Sequence, residues 1–283
     1  MNSSRQPAAG VPGQAALPAA CTGSLWLMPN TLDLGTLRDG VPQPDVRLVL
    51  PQQALEVAAR LSHWVVENAR SARALLKRIG AIVPLAQPLQ ELDIRELPRP
   101  RKGGGPGAVE VLRAADWLAP ALAGRDVGLL SEAGLPAVAD PGAALVDLAH
   151  AAGVRVRPLS GPSSLMLALA ASGLNGQSFA FVGYLPTDAA QRTQRLRELE
   201  THSRRWQQTQ ILIETPYRNS ALLAALRQGL QPGTRLSVAC GVTLEDERIW
   251  TADVARWRNG QAANGLPLEL PSQVPAVFLF LAR

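Results

Sequence analysis

Little in this chain can cross-link or hold a metal. Two cysteines among 283 residues, Cys21 and Cys240, make no disulfide framework. The three histidines, His63, His150 and His202, lie far apart and show no metal-ligand spacing, so no metal is expected. No stretch of about 18 uncharged apolar residues occurs, so nothing is expected to cross a membrane. The N-terminus lacks the basic-then-apolar layout of a secretory signal, which makes the cytoplasm the expected compartment. Lysine is almost missing: Lys77 and Lys102 stand alone, and arginine supplies nearly all the positive charge. No internal repeat is visible.

What is present points to a packed protein. The length suits two domains of ordinary size, and 47% of the residues are hydrophobic. The net charge is +5 and the isoelectric point about 10.0. A basic balance is compatible with an anionic partner such as RNA. Genome base bias toward Arg, Ala and Pro gives the same balance, so charge alone does not choose.

Residues 1–22 are rich in Ala, Pro, Gly and Ser without hydrophobic period and read as a disordered tail. The pattern changes at Gly23. Strands are expected at 24–28, 45–50, 63–67, 125–132 and 154–160. Helices are expected at 51–62, 69–80, 108–123 and 142–153. Such alternation implies an α/β unit with a mostly parallel sheet, helices on both faces, over residues 23–160. A second α/β unit with a mixed sheet is expected over 161–283. Its helices are read at 165–173, 188–204 and 218–229, and its strands at 178–185, 210–215, 235–240 and 276–283. The segment RPRKGGGPG (99–107) reads as a basic surface loop. It lacks the P-loop order of residues, and no strong strand precedes it.

Two stretches carry the chemistry. GLLSEAGLPAVADPG (128–142) runs from an apolar strand into a loop dense in Gly and Pro. In an open α/β sheet, ligands bind beyond the carboxyl ends of strands, and glycine lets the backbone approach them. Asp140 is the expected N-cap of the helix that follows, with Pro141 in its first turn. SGPSS (160–164) repeats the arrangement, with hydroxyls at a helix start that suit either a polar ligand group or simple capping.

Taken together these residues resemble the ribosomal small-subunit RNA methyltransferase I family, within the tetrapyrrole-methylase-like superfamily. GLLSEAGLPAVADPG is similar to its S-D-A-G-x-P-x-x-x-D-P-G signature. PLSGPSSLMLALAASGL, FAFVGYLP and ILIETPYR are similar to its P-x-P-G-P-S-A, F-x-F-x-G-F-L-P and F-Y-E-S-P-H-R segments. VVENARSARALLKRIG is similar to its E-D-T-R segment. The resemblance implies a two-domain tetrapyrrole-methylase-like fold holding S-adenosylmethionine in the cleft between the domains, and a homodimer. It implies Ser131, Glu132, Ala133, Gly134 and Pro136 along the cofactor, with Ser160, Gly161 and Ser163 facing it. Glu214, Thr215 and Ala239 would contribute from the second domain.

The departures fall on the acceptor side. The E-D-T-R segment is here Glu67-Asn68-Ala69-Arg70, and the family's histidine-asparagine motif is absent from 85–107. A ribose hydroxyl is a weak nucleophile and benefits from a general base. Asn68 cannot serve as one; Glu67 either serves as that base or is a buried structural residue of its strand, and Arg70 either holds a phosphate or forms a helix-surface salt bridge. The run Arg192, Arg195, Arg197, Arg204 and Arg205 either tracks an RNA backbone or forms a solvated helix face. The expected activity is methyl transfer to RNA, at a ribose 2′-hydroxyl of small-subunit ribosomal RNA. The rivals are a methyltransferase acting on a tetrapyrrole or another small molecule, and a non-catalytic relative that binds cofactor or RNA.

Overall fold

The computed structural model describes residues 22–33, 43–98, 116–260 and 270–283. The expected tail 1–22 (all but its last residue), the loop 99–107 and the first part of the helix expected at 108–123 lie outside these residues.

The first sheet has five strands: β1 (Ser24–Met28), β2 (His63–Val66), β3 (Asp93–Glu96), β4 (Val127–Leu130) and β5 (Arg155–Pro158). They run in the order β3-β2-β4-β1-β5, and every pairing is parallel. Beyond Ser24 and His63 the central strands are apolar, because helices cover both faces. On one face α1 (Gln52–Arg60) and α2 (Ala69–Gly80) place Leu55, Leu75, Leu76 and Ile79 over Trp26, Met28, Trp64 and Val66. On the other, the helical residues 116–122 (α3) and α4 (Ala143–Ala151) bring Leu118, Ala121, Leu145 and Ala149 onto Leu25, Val65, Val127 and Leu129. Gly128 is needed at the middle of β4: a Cβ there would sit 2.6 Å from the Trp64 ring.

After β5 the chain enters α5 (Ser164–Ser172) and then a second sheet. Its strands are β6 (Phe179–Gly183), β7 (Thr209–Ile213), β8 (Arg235–Cys240), β9 (Arg248–Asp253) and β10 (Ala276–Leu281). The order is β6-β7-β10-β8-β9, with β6 and β7 parallel and the other neighbours antiparallel. Helices α6 (Ala189–Trp206), α7 (Asn219–Gly229) and α8 (Val254–Arg258) cover one face through Leu196, Leu199, Leu222, Leu226 and Trp257. On the other face α5 buries Leu165, Ala168 and Leu169 against Ile211, Ala239, Val277 and Leu279. Leu32, just beyond β1, joins this last cluster and ties the carboxyl edge of the first sheet to the second.

Three local expectations are corrected. Residues 45–50 form no strand: Val46–Leu48 is a 3-10 turn, because the Asp45 carboxylate accepts from the Arg47 amide at 2.9 Å and caps it. Asp93–Glu96 is a strand ahead of residue 99. Its charged sequence hides it, since an edge strand has one neighbour and little to bury. The edge strand β9 (RIWTAD) also went unread, because its buried and half-buried residues do not alternate. Among the described residues, no helix is long and apolar enough to cross a membrane.

Candidate active site

The carboxyl ends of β1, β4 and β5 open onto the second sheet, and a cleft of about 260 Å³ lies there. Its first wall is the loop after β4. Gly134 adopts φ +62°, where an added Cβ would lie 3.3 Å from both Leu32 Cδ2 and the Pro162 carbonyl. Ala137 and Ala139 also have positive φ, at 63° and 65°. Non-glycine residues hold such angles only where the surroundings impose them, and the strain gathers at functional loops.

Asn30 does much of the imposing. It is buried, its amide donates to the Ser131 and Glu132 carbonyls at 3.0 and 2.9 Å, and its backbone N–H donates to the Gly134 carbonyl at 2.8 Å. Its Oδ1 accepts from the Thr31 amide at 2.8 Å. The sequence reading assigned Asn30 no role. A Pro-Asn pair directly after a strand was the available signal.

The other walls come from the ends of α5 and of the second sheet. Ser163 occupies the N-cap position of α5, yet its side chain makes no capping bond, so its hydroxyl is left to the cleft. Glu214, Thr215 and Pro216 follow β7. The Glu214 carboxylate accepts from the Thr215 amide at 2.8 Å and pairs with Arg218 at 3.1 Å. Ala239 and Gly241 (from β8 and its end), Val277 and Tyr184 also line it.

Of the residues expected along a cofactor, the cleft brings together Ala133, Gly134, Ser163, Glu214, Thr215 and Ala239. The others stand behind or beside it. Ser131 and Pro136 are buried in the loop's base, and Glu132 holds the loop through its backbone. Ser160 is exposed, and Gly161 packs on Pro29, where a Cβ would lie 2.1 Å from the proline Cβ.

Glu67, expected as a base, lies off the cleft lining. Its carboxylate accepts from the Glu132 amide at 3.0 Å, and burial pushes its pKa up while that bond pulls it back. Asn68 caps α2 by accepting from the Arg70 and Ser71 amides. Arg70 is exposed, also outside the lining, and no carboxylate pairs with it among the described residues.

Asp140 is corrected from cap to cleft residue. Helix α4 begins at Ala143 with Gly142 at its N-cap and φ +126°, so Asp140 falls short of the helix and lines the cleft instead. Burial, with Glu67 and Glu132 nearby, pushes its pKa up to about 7. Burial and the carboxylates of Glu214, Asp140 and Glu67 push the Tyr184 phenol up, so it stays a neutral donor.

A five-stranded parallel sheet joined to a five-stranded mixed sheet, with a ligand cleft where strand ends meet, defines a two-unit α/β class of protein. The family model of the Tetrapyrrole (Corrin/Porphyrin) Methylases matches residues 64–256, and the chain belongs to that family. It is 32% identical over 215 residues to a Ribosomal RNA small subunit methyltransferase I of Mesorhizobium japonicum, covering 76% of this chain and 66% of that protein. It is 34% identical over 175 residues to the protein of the same name from Pseudomonas aeruginosa, covering 62% and 55%. The matches thus span between about half and two thirds of these relatives' lengths. Among solved structures, a conserved hypothetical protein from Aeropyrum pernix K1 shares the fold, with a TM-score of 0.56, 18% identity, and coverage of 93% of this chain and 85% of that one.

Proposed function

We propose that this protein is an S-adenosylmethionine-dependent methyltransferase that methylates RNA, at a ribose 2′-hydroxyl of small-subunit ribosomal RNA. The observation that carries the reading is the cleft itself. It gathers the Gly134 loop, the Ser163 turn, the Glu214-Thr215 turn and Ala239 in one place, from segments far apart in the chain. Relatives named Ribosomal RNA small subunit methyltransferase I match this chain over more than half its length.

The residues fit the cofactor's chemistry. Leu32, Leu165, Ile213 and Val277 offer an apolar wall for a flat adenine ring. Ser163, Thr215 and Glu214 offer hydroxyls and a carboxylate for ribose and ammonium groups. Gly134 leaves room that a Cβ would fill. When bound, S-adenosylmethionine supplies an activated methyl group. The chain's own contribution is to fix the loop through Asn30 and to keep apolar walls around the reacting groups. The same reading makes 23–160 and 161–283 the two domains, places the protein in the cytoplasm and makes it a homodimer.

Incubation with methyl-labelled S-adenosylmethionine and deproteinised small-subunit RNA or assembled small subunits tests the substrate. Label that protects one ribose linkage from alkaline cleavage supports the reading. Label on a tetrapyrrole or another small acceptor, with none on RNA, replaces RNA by that acceptor. Cofactor binding with no transfer to either makes the protein a binder.

A further inference from the structure

The general base expected at Glu67 is not at the cleft, and Asn68 is committed to capping α2. One carboxylate of the first wall does line it. We propose that Asp140, delivered to the cleft by the strained loop after β4 and released from helix capping by Gly142, takes the proton from the hydroxyl that receives the methyl group. This rests on the methyltransferase reading above and names a residue for it.

Three structural features single out Asp140. It shares the lining with Gly134, Ser163 and Tyr184, whereas Glu67 and Glu132 do not reach it. The left-handed Ala139 immediately before it and Gly142 at φ +126° after it hold it short of α4. Among the described residues no arginine or lysine forms an ion pair with it, while Glu214 across the cleft is held by Arg218. The titratable groups that face it are Glu67 at the end of β2, Glu132 in its own loop, and Tyr184 after β6, while the Ser131 hydroxyl beside it pulls its pKa part of the way back. All three withhold positive charge, and a carboxylate near pH 7 in such surroundings is matched to accepting a proton at neutral pH.

The step balances. An O–C bond forms to the methyl carbon, the C–S bond breaks with its electron pair left on sulfur, and the hydroxyl proton passes to an Asp140 carboxylate oxygen. Val138 and Tyr184, 45% and 58% exposed, line the same cleft, so that proton has a path to solvent.

A carboxylate at the reacting centre also acts before any acceptor arrives. The methyl donor carries a positive sulfonium and its demethylated product does not. Ionised Asp140 therefore favours the donor over the product, and protonated Asp140 does not. Calorimetric affinities for both compounds at pH 6 and pH 8, for the wild-type chain and Asp140→Asn, test this without an acceptor. The wild type should raise its preference for the donor by about threefold or more between the two pH values. Asp140→Asn should still bind the product, with a donor-over-product preference that no longer changes with pH. With an accepted substrate, its transfer rate should fall by about 100-fold, and the rise in rate through pH 7 should vanish. An Asp140→Asn variant that keeps the wild-type pH response, keeps its transfer rate, or loses the product altogether overturns the assignment. A wild-type protein that binds neither compound fails the methyltransferase reading first, and this inference with it.

Discussion

The two walls of the cleft are built on opposite electrostatic plans. The first wall crowds Glu67, Glu132 and Asp140 at the carboxyl end of a parallel sheet, and raises two of them toward the neutral form. The second wall buries one carboxylate, Glu214, and satisfies it with Arg218 and the Thr215 amide. The first wall carries Ala137 and Ala139 at positive φ; the second, resting on the apolar faces of β7, β8 and β10, carries Thr243 at φ 70° just past β8. The walls therefore differ in electrostatics: the first leaves its carboxylates crowded together, and the second pairs its one carboxylate with a cation.

The comparison can be broken most severely at Gly134. Valine there meets both a left-handed backbone and two neighbours at 3.3 Å, and strain of about 1–3 kcal/mol should lower cofactor affinity by roughly 100-fold by calorimetry. Asn30→Ala, which strips the first wall of its support, should cost about 2–3 kcal/mol in denaturant unfolding by leaving buried carbonyls unpaired, and should weaken cofactor binding as well. Arg218→Gln, which strips the second, should cost about 1–2 kcal/mol, discounted because Arg218 is partly exposed. Its pH response should stay as in the wild type.

A pH prediction separates the walls further. Asp140 has its folded pKa raised from 3.8 to about 7, so the native state binds a proton more tightly than the unfolded chain. Its contribution to stability is fully present below pH 4 and is lost as pH rises through 7. Denaturant midpoints should therefore fall between pH 4 and 7 for the wild type, and fall less for Asp140→Asn. The smallest effect is expected at Asn68. Aspartate, the family residue, is as good an N-cap, so Asn68→Asp should shift stability by less than about 0.5 kcal/mol, whereas Asn68→Ala should cost about 1 kcal/mol.

Much of this architecture was legible before the structure. Ser24–Met28, Ala69–Gly80 and Arg235–Cys240 match their expected bounds, because period and flanking turn residues agree there. What escaped were two edge strands: β3, which is short and charged, and β9, whose buried and half-buried residues do not alternate. The segment 45–50 misled because an apolar run outweighed the Asp45 cap. At the site, the Gly- and Pro-dense loops announced the strand ends that meet at the cleft. The work of Asn30 and the placement of Asp140 depend on φ angles and contacts between segments a hundred residues apart, which no local pattern encodes. Capping explains why Asn68 can stand where the family has aspartate without harm to the fold: its side chain serves α2.

The central claim is that the cleft beyond β4 binds S-adenosylmethionine. Calorimetric titration of the full chain with that compound and with its demethylated product tests it most directly, with Gly134→Val as the control. Saturable binding of both, lost in the variant, is the predicted result. Absence of binding by the folded wild-type protein, or binding that Gly134→Val leaves intact, would contradict it.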